Sequence, residues 1–147
     1  DLAAGFYTRC EPRLGRTRAS FIDYARDRAV ADPDRLDEVI DAAAVREVRG
    51  LLESRLPAYA AQPDAGWQAA WYTLTPDAQA LLGALEECAG LYVATGFSGH
   101  GFKLAPSVGA GLAQVLTDQP CTAFDARFFR PRRFESGERA AGGAFGL

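Results

Sequence analysis

The sequence predicts an α+β fold, a mixed or antiparallel sheet with packing helices, on three observations. Two short runs rich in β-branched and aromatic residues flank a turn near the start. A stretch between Asp32 and Leu56 repeats apolar residues at close to 3.6, and a short apolar run from Leu91 enters a glycine-rich loop ahead of a second helical pattern. With 147 residues, 48% apolar and 24% charged, the chain is long enough for one compact unit with its own core.

The first element is a hairpin. Gly5 to Arg9 and Arg18 to Tyr24 have strand character, and PRLG between them is turn material. Asp32 before Pro33 is a helix-start signal: a side-chain oxygen for the orphan amides, then a ring whose fixed φ suits the first turn. Apolar residues follow at Leu36, Val39, Ile40, Ala43, Val48, Leu51 and Leu52, and the period slips between Asp41 and Val45. That predicts one helix, or two with a break, ending at Leu56 because Pro57 follows. From Gly66 to Thr75 the run GWQAAWYTLT alternates, with Trp67, Ala69, Trp71 and Thr73 on one side, which predicts a strand ended by Pro76. Leu91 to Thr95 reads as a short strand and Pro106 to Leu116 as a helix with its proline near the first turn. After RFFRPRRF the chain drifts into SGERAAGGAFGL, too poor in apolar residues to order itself.

The net charge of −3 and a pI near 5.2 give no broad electrostatic footprint for nucleic acid; the arginine clusters at 9–28 and 127–133 read as solvated faces. No apolar run approaches the roughly 20 residues of a membrane helix, and no signal-peptide pattern opens the chain. Cys10, Cys88 and Cys121 are odd in number and widely spaced, so free thiols in a reducing, cytoplasmic setting are expected, with neither a disulfide framework nor a zinc site. Methionine is absent and Asp1 runs almost at once into GFYTR, which predicts a piece of a longer chain.

The chemistry concentrates in ATGFSGHGFKLAP, Ala94 to Pro106. It holds the only histidine, His100, and the only lysine, Lys103, of a chain with fifteen arginines. Glycines at 96, 99 and 101 let backbone approach a flat or anionic ligand without Cβ interference, and a helix starting near Ala105 would aim its orphan amides at the same place. A chain that uses arginine for every other cation, yet lysine here, points to a site that needs a compact ammonium. A bland reading stands beside this one, since most glycine-rich turns are only turns and most single lysines are solvated.

GLYVATGFSGHGFKLAPSVGAGLAQVL resembles the flavin loop and following helix of the D-amino acid oxidase superfamily of FAD-dependent oxidoreductases, in its sarcosine-oxidase and pipecolate-oxidase branch. GWQAAWYTLTPDAQALLGALEECAGLYVATG resembles the same family's strand and T-P-D turn, RFFRPRRF its closing F-x-P-x-R-F tail, and residues 5–60 its substrate-domain hairpin and helix more loosely. The resemblance implies a substrate-domain portion over 1–90, a returning strand and helix of the flavin-binding domain with the tail over 91–134, and a disordered tail over 135–147. The N-terminal Rossmann half of the flavin domain would be lacking. It also implies FAD contacts from Gly96, Ser98, Gly99, His100, Gly101, Phe102 and Lys103, with the backbone of 99–102 along the isoalloxazine ring. The helix dipole would favour negative charge on the ring's pyrimidine side. Lys103 matches a lysine that helps hold the substrate carboxylate. Tyr72 has two readings, a packing residue and a residue lining the substrate pocket. His100 also has two, a titratable group that tunes the flavin or pocket and a structural hydrogen-bonding group.

Departures from the family bound the implication. No G-x-G-x-x-G phosphate fingerprint is present; VGAGLAQ lacks the third glycine and falls within the late helix. Where covalent members carry the cysteine that attaches flavin, two residues before the aromatic aligned with Tyr72, this chain has Ala70, so FAD would be non-covalent. No catalytic residue is assigned. The expected protein is the C-terminal part of an oxidoreductase acting on the C–N bond of an amine or amino acid. It would be inactive unless a missing N-terminal FAD-binding segment or another chain completes it, and prone to self-association. The alternative is a non-catalytic binding or assembly domain that retains the scaffold. Asp77 in TPD reads as a turn cap, Trp67 and Trp71 as packing residues, and FFRPRR as a surface-crossing tail.

Overall fold

In a computed structural model, residues 1–135 and Gly137 are described. The chain divides into two compact units, Asp1–Trp71 and Tyr72–Leu147. Among the described residues each holds one two-stranded antiparallel sheet and one α-helix. The 135–147 tail expectation falls, apart from Glu135 and Gly137, outside the described residues.

The first unit opens with the expected hairpin. β1 (Phe6–Glu11) pairs with β2 (Arg16–Phe21) in a register that places Phe6 opposite Phe21 and Glu11 opposite Arg16, and a 3-10 turn at Pro12–Leu14 closes it through Gly15. Phe6 is 2% exposed, a burial worth about 1.5–3 kcal/mol. A lone hairpin is marginal in water, and here α1 (Ala42–Arg55) packs against both strands. Tyr59, in the 3-10 turn that follows α1, shares a 2.6 Å hydrogen bond with Thr17 of β2. Arg49 of α1 pairs with Glu53 and Asp64 and donates to the carbonyls of Tyr59 and Gln62, binding the chain beyond the helix back to it.

The expected helix from Asp32 is shorter than its signal. Asp32 accepts from the amide of Asp34 and Asp37 from that of Val39, so these aspartates close local turns; Asp41, accepting from Ala43, is the cap from which α1 departs. A short polar side chain that bonds its own backbone competes with helix, and two of them, Asp32 and Asp37, hold the segment before Asp41 out of it. The slip between Asp41 and Val45 thus marks the helix start. Its end at Leu56, before Pro57, is as expected.

Residues 66–75 form no strand among the described residues. Their alternation lacks a partner ladder: the carbonyl of Thr73 accepts from the amide of Ser98, and the amide of Thr75 donates to Ser98 Oγ. Trp67 and Trp71 are 55% and 41% exposed, so neither is core.

In the second unit β3 (Leu81–Ala84) pairs with β4 (Tyr92–Thr95), Leu82 opposite Ala94, and Leu82 is the most buried apolar residue there. α2 runs from Gly101 to Leu116, five residues further back than Pro106 suggested. Pro106 therefore lies inside the helix, where it cannot donate to the carbonyl of Phe102. VGAGLAQ is wholly helical. A Cβ at Gly111 would sit 2.3 Å from the Phe124 ring, so this glycine serves close packing and not phosphate binding. The three cysteines are free. Among the described residues no helix is long and apolar enough to cross a membrane.

Candidate functional site

The glycine loop joins β4 to α2, and its shape is set by two left-handed glycines with a serine between them. Gly96 (φ 65°), Ser98 (φ 49°) and Gly99 (φ 80°) all occupy conformations that L side chains resist. Space as well as φ demands glycine at both ends: a Cβ on Gly96 would lie 2.4 Å from the Thr75 methyl, and one on Gly99 would lie 2.9 Å from the Tyr72 ring. Ser98, 1% exposed, turns its hydroxyl inward to the Gly96 carbonyl at 3.2 Å, while its amide bonds Thr73 O at 3.1 Å. The amide of His100 closes the turn on Phe97 O at 2.8 Å.

His100 is the N-cap of α2, and no side chain caps that end. The amides of the first turn, Gly101 to Lys103, have no acceptor within the helix, and they carry the positive end of its dipole. Phe102 is 94% exposed. Lys103 is exposed and joins no ion pair among the described residues. Half-buried His100 is pushed below the usual histidine range, first by burial and then by the charge of Lys103, so its ring is neutral at pH 7.

The expected site residues therefore separate into two groups. Gly96 and Ser98 are buried in the base of the loop; Gly99, Phe102 and Lys103 face solvent, with His100 and Gly101 half-buried between. Tyr72 is 48% exposed with its ring under Gly99. Reasoning from sequence missed the base beneath this loop. Asp77 does cap its turn, accepting from Gln79 N at 3.1 Å, but it also forms a buried two-pronged ion pair with Arg133 of the tail at 2.9 and 2.8 Å. The tail is thus no mere surface crossing. Its signal was the arginine of the F-x-P-x-R-F pattern, which is Arg133.

The fold and the loop define a class. The family of FAD dependent oxidoreductases matches residues 5–115, and the chain belongs to it. Among its relatives, the peroxisomal sarcosine oxidase of Mus musculus is 33% identical over 112 residues, 74% of this chain and 28% of that protein. The monomeric sarcosine oxidase of Bacillus sp. (strain NS-129) is 34% identical over 88 residues, 58% of this chain and 22% of that protein. A solved structure, L-proline dehydrogenase from P. horikoshii, superposes with a TM-score of 0.67 at 33% identity, over 74% of this chain and 29% of that one. The chain spans less than a third of the length of each.

FAD is the cofactor of this family. The residues present fit its ring portion: the loop exposes its backbone at Gly99, whose Cβ side is taken by the Tyr72 ring, and the helix start, which no side chain caps among the described residues, offers amide donors to the ring's carbonyl and nitrogen acceptors. The described residues do not fit its pyrophosphate, because the glycine-rich candidate among them, Val108 to Gln114, is in mid-helix.

Proposed function

We propose that this chain supplies the flavin-ring and substrate-carboxylate side of an FAD-dependent oxidoreductase acting on the C–N bond of an amine or amino acid. The dinucleotide-binding side is supplied by a further segment or a second chain. When bound, FAD would supply the acceptor for a hydride equivalent from the carbon next to the substrate nitrogen. The chain's own residues do the positioning. The backbone from Gly99 to Phe102 lies along the ring, with Tyr72 fixing Gly99 from beneath; the α2 dipole favours negative charge at the ring edge it faces; and Lys103 holds the substrate carboxylate so that the reacting C–H is aimed. Ser98 and Gly96 contribute by shaping the loop from within. Ala70 makes the FAD non-covalent. Residues 1–90 would belong to the substrate domain and 91–134 to the flavin domain, in a cytoplasmic setting suited to its free thiols.

One observation carries this reading: the only lysine stands exposed, outside any ion pair among the described residues, in the first turn of an uncapped helix beside an exposed left-handed glycine. Exposed apolar residues on α2, Phe102, Leu104 and Leu116, support a covering partner, whether the FAD-binding segment or, in its absence, another copy.

Two measurements test it. The purified chain alone is expected to be colourless, since it contacts the ring but not the pyrophosphate; a stoichiometric yellow protein would contradict this. In the completed enzyme, Lys103→Ala is expected to weaken a carboxylate inhibitor by about 1.5–3 kcal/mol, the worth of a charge-assisted bond. Lys103→Arg restores this only in part, because a planar fork differs in reach from an ammonium. Equal inhibitor affinity in wild type and Lys103→Ala would return the lysine to the solvated surface and favour the non-catalytic alternative.

A further inference from the structure

We propose that Asp77 and Arg133 are positioning residues of the glycine loop: the tail arginine fixes the TPD turn, the turn fixes Thr75, and Thr75 fixes Gly96 and Ser98. This goes beyond the flavin reading and does not depend on it, since it concerns what holds the loop whether or not a ring lies on it.

The contacts form one continuous relay. Arg133 donates from Nε and Nη2 to the two oxygens of Asp77, from Nη1 to Ala80 O at 2.9 Å, and from Nη2 also to Gln79 O at 2.7 Å. These acceptors lie within four consecutive residues, and the two charged side chains are 3% and 1% exposed. Asp77 Oδ1 is in turn 3.1 Å from Thr75 Oγ1, whose proton is shared with Gln79 O at 2.7 Å. From Thr75, the amide reaches Ser98 Oγ at 3.4 Å, and the methyl fills the space that a Cβ on Gly96 would need. Asp77 and Arg133 are 56 residues apart and bracket β3, β4, the loop and α2, so the pair closes both ends of the segment that carries the loop.

Chemistry favours geometry as the purpose of this pair. An ion pair withdrawn from water recovers in attraction about what it lost in solvation, so well-packed apolar residues would hold the tail down as firmly. They would not fix direction. A guanidinium fork on a carboxylate sets distance and plane together, and that is what a loop with a non-glycine residue at φ 49° requires of its base.

Amide hydrogen exchange of the whole chain, followed by NMR, tests the relay at the amide of Ser98, with that of Leu82 on Phe129 O as the reporter for tail docking. Three variants interrupt it at successive points: Arg133→Lys keeps the charge and loses the fork, Asp77→Asn keeps the shape and loses the charge, and Thr75→Val keeps the shape and loses the hydroxyl. Each is expected to speed exchange at Ser98 by about tenfold, the effect of one lost hydrogen bond on local opening, with hairpin amides unchanged. Thr75→Val, at a half-buried site of the same shape, should do so while Leu82 stays protected, and in combination with Asp77→Asn should add nothing further. Unchanged exchange at Ser98 in Thr75→Val would overturn the proposal. So would acceleration of Ser98 and Leu82 by one common factor in all three variants, which is the signature of a general fastener.

Discussion

Among the described residues the two units have the same inventory, one hairpin and one helix, but they differ in where they bury charge. In the first, charge pairs lie at the surface: Arg26 on Glu47, Arg28 on Asp37, and Arg16 and Arg18 on Glu11. The second also has surface pairs, Arg132 on Glu86 and Glu135, but one pair is sealed inside, with Arg133 and Asp77 beneath the glycine loop. Surface pairs can be exchanged at little cost, whereas a buried pair is costly to break once made. The difference shows where geometry is demanding, which is at the loop between β4 and α2.

Removing one member from each kind of pair should give the largest contrast. Asp77→Ala leaves the Arg133 guanidinium buried without its carboxylate and is expected to destabilise the second unit by about 3–5 kcal/mol. Arg26→Ala, at an exposed pair, should leave the first unit's unfolding midpoint nearly unchanged. Urea titrations followed by amide signals from each unit separate the two, and similar losses would remove the contrast.

A pair of glycines sharpens it. Gly5 (φ 67°) and Gly96 (φ 65°) have nearly the same left-handed φ, yet a Cβ on Gly5 meets nothing within 4 Å while one on Gly96 meets the Thr75 methyl at 2.4 Å. Gly5→Ala should therefore cost only the left-handed conformation, about 1–2 kcal/mol. For Gly96→Ala the collision adds a further ~1–3 kcal/mol and displaces the loop, visible as shifted Ser98 and Gly99 signals. Below these in size comes Asp41→Ala, expected to cost about 1 kcal/mol through the α1 cap, whereas Asp32→Ala, in a turn outside the helix, should cost less.

These contrasts also mark what the sequence made legible. The hairpin, the helix end before Pro57, the turn at TPD and the order strand, glycine loop, helix all rest on local rules, and local rules suffice for them. Asp32, with Pro33 after it, carries the cap signal in the sequence, and Asp41 is the cap in the structure. Only the second starts a helix, because Asp32 and Asp37 close turns of their own, a competition that the residue types do not decide. The run 66–75 alternates like a strand, but a strand needs a partner, and Thr73 and Thr75 bond to the loop instead. Gly101 reads as loop and is helical: its missing Cβ admits the Phe97 ring at about 3.1 Å, so there glycine serves packing. The exposed half of the candidate site, Gly99 to Lys103, was visible as a cluster of rare residue types. Its buried base was not, because Asp77 and Arg133 meet only through the fold.

The smallest expected effect is that of pH on the loop. His100 takes up its proton at lower pH in the folded chain than the ordinary value of 6.5, so its contribution to stability is present above about pH 6.5 and is lost as pH falls toward the folded value. Lys103→Ala removes the second of the two causes and should raise the His100 midpoint in an NMR titration; an unmoved midpoint would show that burial alone sets it.

The central claim is that the second unit presents its glycine loop to a flavin ring. NMR mapping of the chain with lumiflavin, the ring without phosphates, tests it most directly. The account predicts weak, saturable shifts at the amides of Gly99 to Lys103 and at the Tyr72 ring, with the β1–β2 hairpin undisturbed. Shifts scattered over both units, or none at 99–103 while other residues respond, would contradict it.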